Sequence, residues 1–229
     1  MKKSRLSAIV IIMIVSVATF LISCTGKDDD LADARELQQK SEAAVTDVAC
    51  CFSADTLPVE TLSQTEIDAL LLMREEELMA RDVYVYLSGL YSTPVFANIS
   101  LSEQQHASAI AALLVKYGLD DIAADHQAGV FVNQELQELY NSLIAMGEES
   151  ITGAFTAGAT IEDMDIFDLM QLSEQVDNAD ILLVFANLTK GSRNHLRSFV
   201  AHLLKVGVNY QPQFISQDLF DEIINSPHE

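Results

Sequence analysis

From residue 63 onward, apolar residues recur every three or four positions, the period of a helix that buries one face. The pattern predicts five helices: Gln64 to about Gly89, about Ser100 to Tyr117, Asn133 to about Gly147, Ser150 to about Leu172, and Asp177 or Asn178 to about Val206. Four of them open on residues suited to an N-cap: Ser63 or Thr65, Asn133, Ser150, and Asp177 or Asn178. Gly118 suits the C-terminal cap of the second. Tyr91 to Asn98, which contains Pro94, reads as a turn. Residues 119–132 read as a loop in which His126 is solvated.

The inward stripes are interrupted by groups that bundle cores avoid. On the second helix Ile99, Glu103, His106, Ile110, Leu113 and Tyr117 share one side. Glu103 and His106 therefore point inward together, about 4.5 Å apart along the axis. On the first helix Ala69, Met73, Glu76, Ala80, Val83 and Leu87 form the buried side. Glu76 sits in its middle and Glu77 on its flank beside Tyr84. Glu75 is expected outside, with Arg74, Leu78, Arg81, Asp82 and Val85 on the opposite side. The fourth helix places Glu162 and Asp165 on the stripe of Ile151, Phe155, Ala159, Ile166 and Leu169, leaving Asp163 and Asp168 solvated. On the fifth, Ile181, Val184, Leu188, Ser192, His195, Phe199 and His202 point inward, with Arg193 and Arg197 towards the polar side. The third helix turns Leu136, Leu139, Tyr140 and Leu143 inward and offers no buried ionisable group.

A buried carboxylate without a compensating charge costs several kcal/mol, so these acids call for a cation or a proton. Glu-x-x-His pairs facing further glutamates across a bundle are the device of two-metal carboxylate sites. Glu76, Glu103, His106, Glu162 and His195 map onto such a set, with Glu77 and His202 as alternates. The second Glu-x-x-His pair should end at His195, but Ser192 stands where its Glu belongs; Asp165 is the acid placed to supply the missing carboxylate. Oxygen donors with two imidazoles suit iron or manganese, as one or two ions. In that scheme Glu103 or Asp165 bridges, His106 and His195 each hold one ion, and Tyr84 or Tyr117 stands nearby for redox work.

The chain begins differently. Lys2, Lys3 and Arg5 precede a nearly continuous apolar run from Ala8 to Ile22, the pattern of an export signal over residues 1–24. Leu21-Ile22-Ser23-Cys24 resembles the lipobox of bacterial lipoproteins, which implies a lipid on Cys24, a membrane anchor and a place in the cell envelope outside the cytoplasm, periplasmic or at the surface. Residues 25–62 read as an acidic tether, and Cys50 and Cys51 within it carry no evident chemistry. Three of the 13 basic residues and none of the 34 acidic ones lie before Cys24, so cleavage would shift the net charge from −21 to −24. So acidic a protein repels nucleic acid and attracts cations. Glycine-rich phosphate loops and Cys-x-x-Cys knuckles are absent from the sequence.

Several blocks carry a resemblance. Met73-Arg74-Glu75-Glu76-Glu77-Leu78-Met79-Ala80-Arg81-Asp82-Val83-Tyr84, Phe96-Ala97-Asn98-Ile99 with Ser102-Glu103-Gln104-Gln105-His106, Asp177-Asn178-Ala179-Asp180-Ile181, Gly191-Ser192-Arg193-Asn194-His195-Leu196-Arg197, and Tyr210 with Pro212-Gln213 and Ile215-Ser216-Gln217 resemble the motifs of the domain of unknown function 2202 family. The resemblance covers about residues 60–225. It implies membership of the ferritin-like superfamily, and hence an all-α ferritin-like helical bundle over 63–207, the helix at 133–147 added in a connection, and a C-terminal strap over 208–229. It brings no known substrate. The expected function is an extracytoplasmic metal protein, an oxidoreductase acting on dioxygen, peroxide or ferrous iron. The alternative is a non-enzymatic envelope lipoprotein that is structural, binds proteins or sequesters metal. A homo-oligomer is compatible with either.

Overall fold

The computed structural model describes Ala54 and residues 57–229. The expected export signal with Cys24, and most of the expected tether with Cys50 and Cys51, lie outside the described residues. Those described form six helices and no strand: α1 Gln64–Leu90, α2 Pro94–Tyr117, α3 Gln134–Glu149, α4 Ile151–Ser173, α5 Ala179–Lys205 and α6 Gln217–Asn225.

Local chemistry sets most of the boundaries. Ser63 and Glu66 close a reciprocal capping box at the start of α1, and the other Glu66 oxygen accepts the backbone N–H of Asn178 at 3.1 Å, tying the starts of α1 and α5 together. Asn133 and Ser150 cap α3 and α4 through their side chains. Helix α2 begins at Pro94, well before the expected Ser100, because proline's fixed φ suits the first helical position and its missing N–H is no loss there. It ends on Gly118 at φ 65, a left-handed cap that glycine adopts without strain.

Helix α1 packs on α2, and α4 on α5; the two hairpins join through α2–α5 and α1–α4 contacts. The core falls into two apolar clusters. One gathers Leu78, Tyr84, Phe96, Ile99, Phe155, Leu196 and Phe199, with strap residues Tyr210, Phe220 and Ile223. The other gathers Met73, Ile110, Leu113, Leu169, Ile181, Phe185 and Leu188. Following each helix from one cluster to the other gives its direction: α1 and α5 run one way, α2 and α4 the other. Two consecutive bundle helices running the same way need a connection spanning the bundle's length, and residues 118–150 with α3 provide it. One long crossover of this kind is the connectivity of ferritin-like bundles.

The additions around the bundle overturn several expectations of solvent exposure. Glu75, expected outside, is 3% exposed, because the loop before α3 folds over it and its oxygens accept the backbone N–H groups of Val132 and Asn133. Leu78 is buried and so is Asp82, which accepts the Gly129 N–H at 2.7 Å. His126, expected in solvent, lies with Nε2 2.7 Å from Asp82 Oδ2. Asp163 is fully buried, since its carboxylate accepts the Tyr210 hydroxyl and the N–H groups of Gln213, Phe214 and Ile215, and so fixes the strap to α4. Arg197, expected towards the polar side, is covered by α6 and donates from Nε to the Ile223 carbonyl at 2.8 Å.

Candidate metal centre

Between the two apolar clusters lies a polar layer to which all four bundle helices contribute. Helix α1 passes from Met73 to Leu78 through Glu76 and Glu77. Helix α2 passes from Ile99 to Ile110 through Glu103 and His106; α4 contributes Glu162 and Asp165, and α5 Ser192 and His195. The three-residue interval sets Glu103 and His106 on one side of α2, and α5 brings His195 to face them.

Two groups of side chains converge here with ligand atoms within 4.8 Å of one another: Glu77, Glu103 and His106, and Glu103, Glu162 and His195. Glu103 belongs to both. Its Oε2 lies 2.8 Å from His106 Nδ1 and its Oε1 2.8 Å from His195 Nδ1. Glu77 Oε2 is 3.2 Å from His106 Nδ1, and Glu162 Oε2 is 3.4 Å from His195 Nδ1. The two imidazole rings stack with centroids 5.7 Å apart. Close passage of α5 makes room for this: a Cβ on Gly191 would stand 2.6 Å from His106 Cε1 and Nε2.

Asp165 is buried and accepts a hydrogen bond from the Ser192 hydroxyl, so α4 delivers a carboxylate to the position where α5 lacks one. Glu76 is buried too, but its carboxyl meets that of half-buried Asp168, and Glu77 is the α1 acid within reach of Glu103 and His106. His202 packs its ring on Phe155, with Nδ1 2.8 Å from the Ser198 carbonyl, in neither group. The Tyr84 hydroxyl donates to Glu162 Oε1 at 2.5 Å, whereas Tyr117 donates to Asp180. Sequence periodicity gave no means of ranking Glu77 above Glu76, because α1 is covered on nearly every side. It gave no signal for Gly191.

The electrostatics describe a site short of positive charge. Burial pushes the Glu77 carboxyl up to about 8 against the pull of His106. Burial and the Glu103 charge push Glu162 up to about 7. Burial and then Glu77 raise Asp165 well above the carboxylate range. For Glu103 burial also acts upward, but His195 and His106 outweigh it and hold the carboxyl low. Burial disfavours the imidazolium of His195, yet Glu103 and Glu162 push it up to about 10; Glu77 and Glu103 likewise raise His106 against burial. Protons thus serve as the counter-charge of the metal-free cluster.

The donor set fits a metal. Glu77 Oε1, Glu103 Oε1, Asp165 Oδ1 and His195 Nδ1 are buried without a hydrogen-bond partner. His195 Nδ1 and Glu103 Oε1 are only 2.8 Å apart, but without the angles of a hydrogen bond. Orphaned buried donors and acceptors are rare in folded proteins, and several converging at one place mark a bound ion or water. Four carboxylates with two neutral imidazoles balance the charge of two divalent ions.

Residues 66–227 match the family described as "Uncharacterized protein domain (DUF2202)", and the chain belongs to that family. It is similar to uncharacterized protein MJ0754 of Methanocaldococcus jannaschii, 45% identical over 174 residues that span 76% of this chain and 94% of the relative. The crystal structure of hypothetical protein MJ0754 from Methanococcus jannaschii DSM 2661 superposes with a TM-score of 0.74 at 46% identity, covering 76% of this chain and 99% of the other.

Proposed function

We propose that this member of the DUF2202 family holds iron or manganese, as two ions sharing Glu103, and uses the centre for redox chemistry. The sharing of Glu103 by two three-residue groups is the observation that carries the reading. Glu77 and His106 would hold one ion, Glu162 and His195 the other, and Asp165 would add the carboxylate that α5 lacks. Such ions supply one-electron chemistry toward dioxygen or peroxide, or towards ferrous iron as a substrate. The chain's own part is to hold the ligands and to keep bulk water out. Tyr84 fixes Glu162 by its hydrogen bond and, at 0% exposure, closes the layer on the side of the aromatic cluster.

Metal analysis of the purified chain, with and without Glu103→Gln, tests the reading. Bound iron or manganese that the variant loses supports it; a wild type that purifies metal-free from iron-rich and manganese-rich media, with unfolding indifferent to both ions, overturns it. Consumption of dioxygen or peroxide by the loaded chain separates an enzyme from the second reading, a metal-sequestering envelope protein. Ser192 favours that second reading, because it departs from the carboxylate set of two-metal enzymes.

Location in the envelope is part of the proposal and rests on Leu21-Ile22-Ser23-Cys24. Cys24→Ser should leave the protein unprocessed or release it from the membrane fraction. Unaltered processing and membrane association in that variant would rule the lipid anchor out.

A further inference from the structure

The two three-residue groups leave unused one pair of acids, of which Glu76 is buried and Asp168 half-buried. Glu76 on α1 is 2% exposed, and its Oε1 has no hydrogen-bond partner. Its carboxyl meets Asp168 of α4, which is half-buried and so reaches towards solvent. Behind this pair stands Asp165, one turn back along α4, with Oδ1 also buried and unpartnered. Glu76 is next in sequence to Glu77; Asp165 is near enough for its charge to act on Glu76, and Glu77 near enough to act on Asp165. Asp168 is the more exposed member of the pair, and Glu77, next to Glu76 on α1, belongs to the centre.

A buried carboxyl with an orphaned oxygen, as at Glu76, is costly unless something arrives to use it. A divalent ion entering a buried centre must shed its water, and each carboxylate along the way replaces part of that shell with oxygen donors. We propose that Glu76 and Asp168 form an outer cation site that takes up a hydrated divalent ion and passes it to Asp165 and Glu77. The inference rests on reading the inner cluster as a metal centre. Hard oxygen donors without a nitrogen ligand suit Mn2+ and Fe2+ held loosely, as transfer requires. The inner centre, with its imidazoles, binds more tightly and draws the ion onward.

The test compares full-length, chelator-stripped wild type with E76Q/D168N, in which both shapes are kept and neither side chain can ionise. Rapid mixing with Mn2+, followed by the disappearance of the electron paramagnetic resonance signal of the free ion, gives the uptake rate; chase with a chelator gives release. The double variant should take up and release Mn2+ about tenfold or more slowly, the order of effect that a charged entry exerts on association. Its final occupancy should be unchanged, since a residue on the route alters both rates alike. D168N alone, at a half-buried position that tolerates an amide, should show part of the slowing and serves if the double variant misfolds. Wild-type rates in both variants overturn the proposal and leave a proton-sharing acid pair. Lost occupancy also overturns it, by making Glu76 a ligand of the centre itself. E103Q separates the two levels: it should lose occupancy. A wild type that takes up no Mn2+ removes the centre, and the entry site with it.

Discussion

The Ser192 hydroxyl of α5 donates a hydrogen bond to the Asp165 carboxylate of α4, at the point where a second Glu-x-x-His pair would have carried its own acid. The two helices therefore divide between them what one helix supplies elsewhere. Asp165→Ala should lose roughly half of the bound metal, because one of two ions loses a carboxylate. Adding Ser192→Glu to it returns an acid to α5 in the space vacated and should restore loading. Metal analysis of the three proteins decides; loading that Asp165→Ala leaves at the wild-type level would take Asp165 out of the ligand set.

Gly191 is the residue that lets His106 reach the centre. Gly191→Ala brings a methyl group to within 2.6 Å of the imidazole and should force it aside. Overpacking of this kind costs about 1–3 kcal/mol, and metal content should fall with it. Gly89→Ala, with nothing within 4 Å of the new Cβ, should instead stabilise α1 by about 0.4–1 kcal/mol without touching metal. Chemical denaturation and metal analysis of both variants check the contrast.

Stability of the metal-free chain should fall as pH rises from about 5 to about 8. Glu77 and Glu162 titrate in the folded state near 8 and 7, against an ordinary carboxylate value of 4.5. Between those limits the folded state holds more protons than the unfolded one, so raising pH favours unfolding. His106 and His195, both raised, act in the same direction above 6.5. A divalent ion displaces these protons and binds only the folded arrangement, so its stabilisation should grow with pH across the same window, reaching about 2.7 kcal/mol at 100 times the dissociation constant. Melting curves at several pH values, with and without Mn2+, measure both slopes. A metal-free slope of the opposite sign would mean that the cluster carries its negative charge in the folded state.

Glu75→Ala should destabilise the chain by about 1–3 kcal/mol while leaving metal content intact, because it strips the acceptors from two backbone N–H groups at the start of α3. A loss within about 0.5 kcal/mol, ordinary for a surface site, would show that water replaces the carboxylate freely.

Much of the protein was legible in its residue order because the governing interactions are local. A helix period of 3.6 sets Glu103, His106, Glu162, Asp165 and His195 on inward sides whatever surrounds them. The caps at Ser63, Asn133 and Ser150 act within a few residues of themselves. Pro94 carried a local signal too, and reading it as a turn rather than a helix start misplaced the beginning of α2. Periodicity fails where a helix is covered from several directions. Helix α1 meets α2, α3 and α4, so Glu75, Glu76 and Glu77 are all buried, each against a different neighbour. Which of the three faces His106 depends on how α1 is rotated against α2 and α4, which no local rule dictates. The fates of Asp82, His126, Asp163 and Arg197 were set by segments distant in the chain: the loop after Gly118 and the strap after Val206. Burial of a polar group is tolerated only with partners, and for these residues the partners arrive through tertiary contact alone.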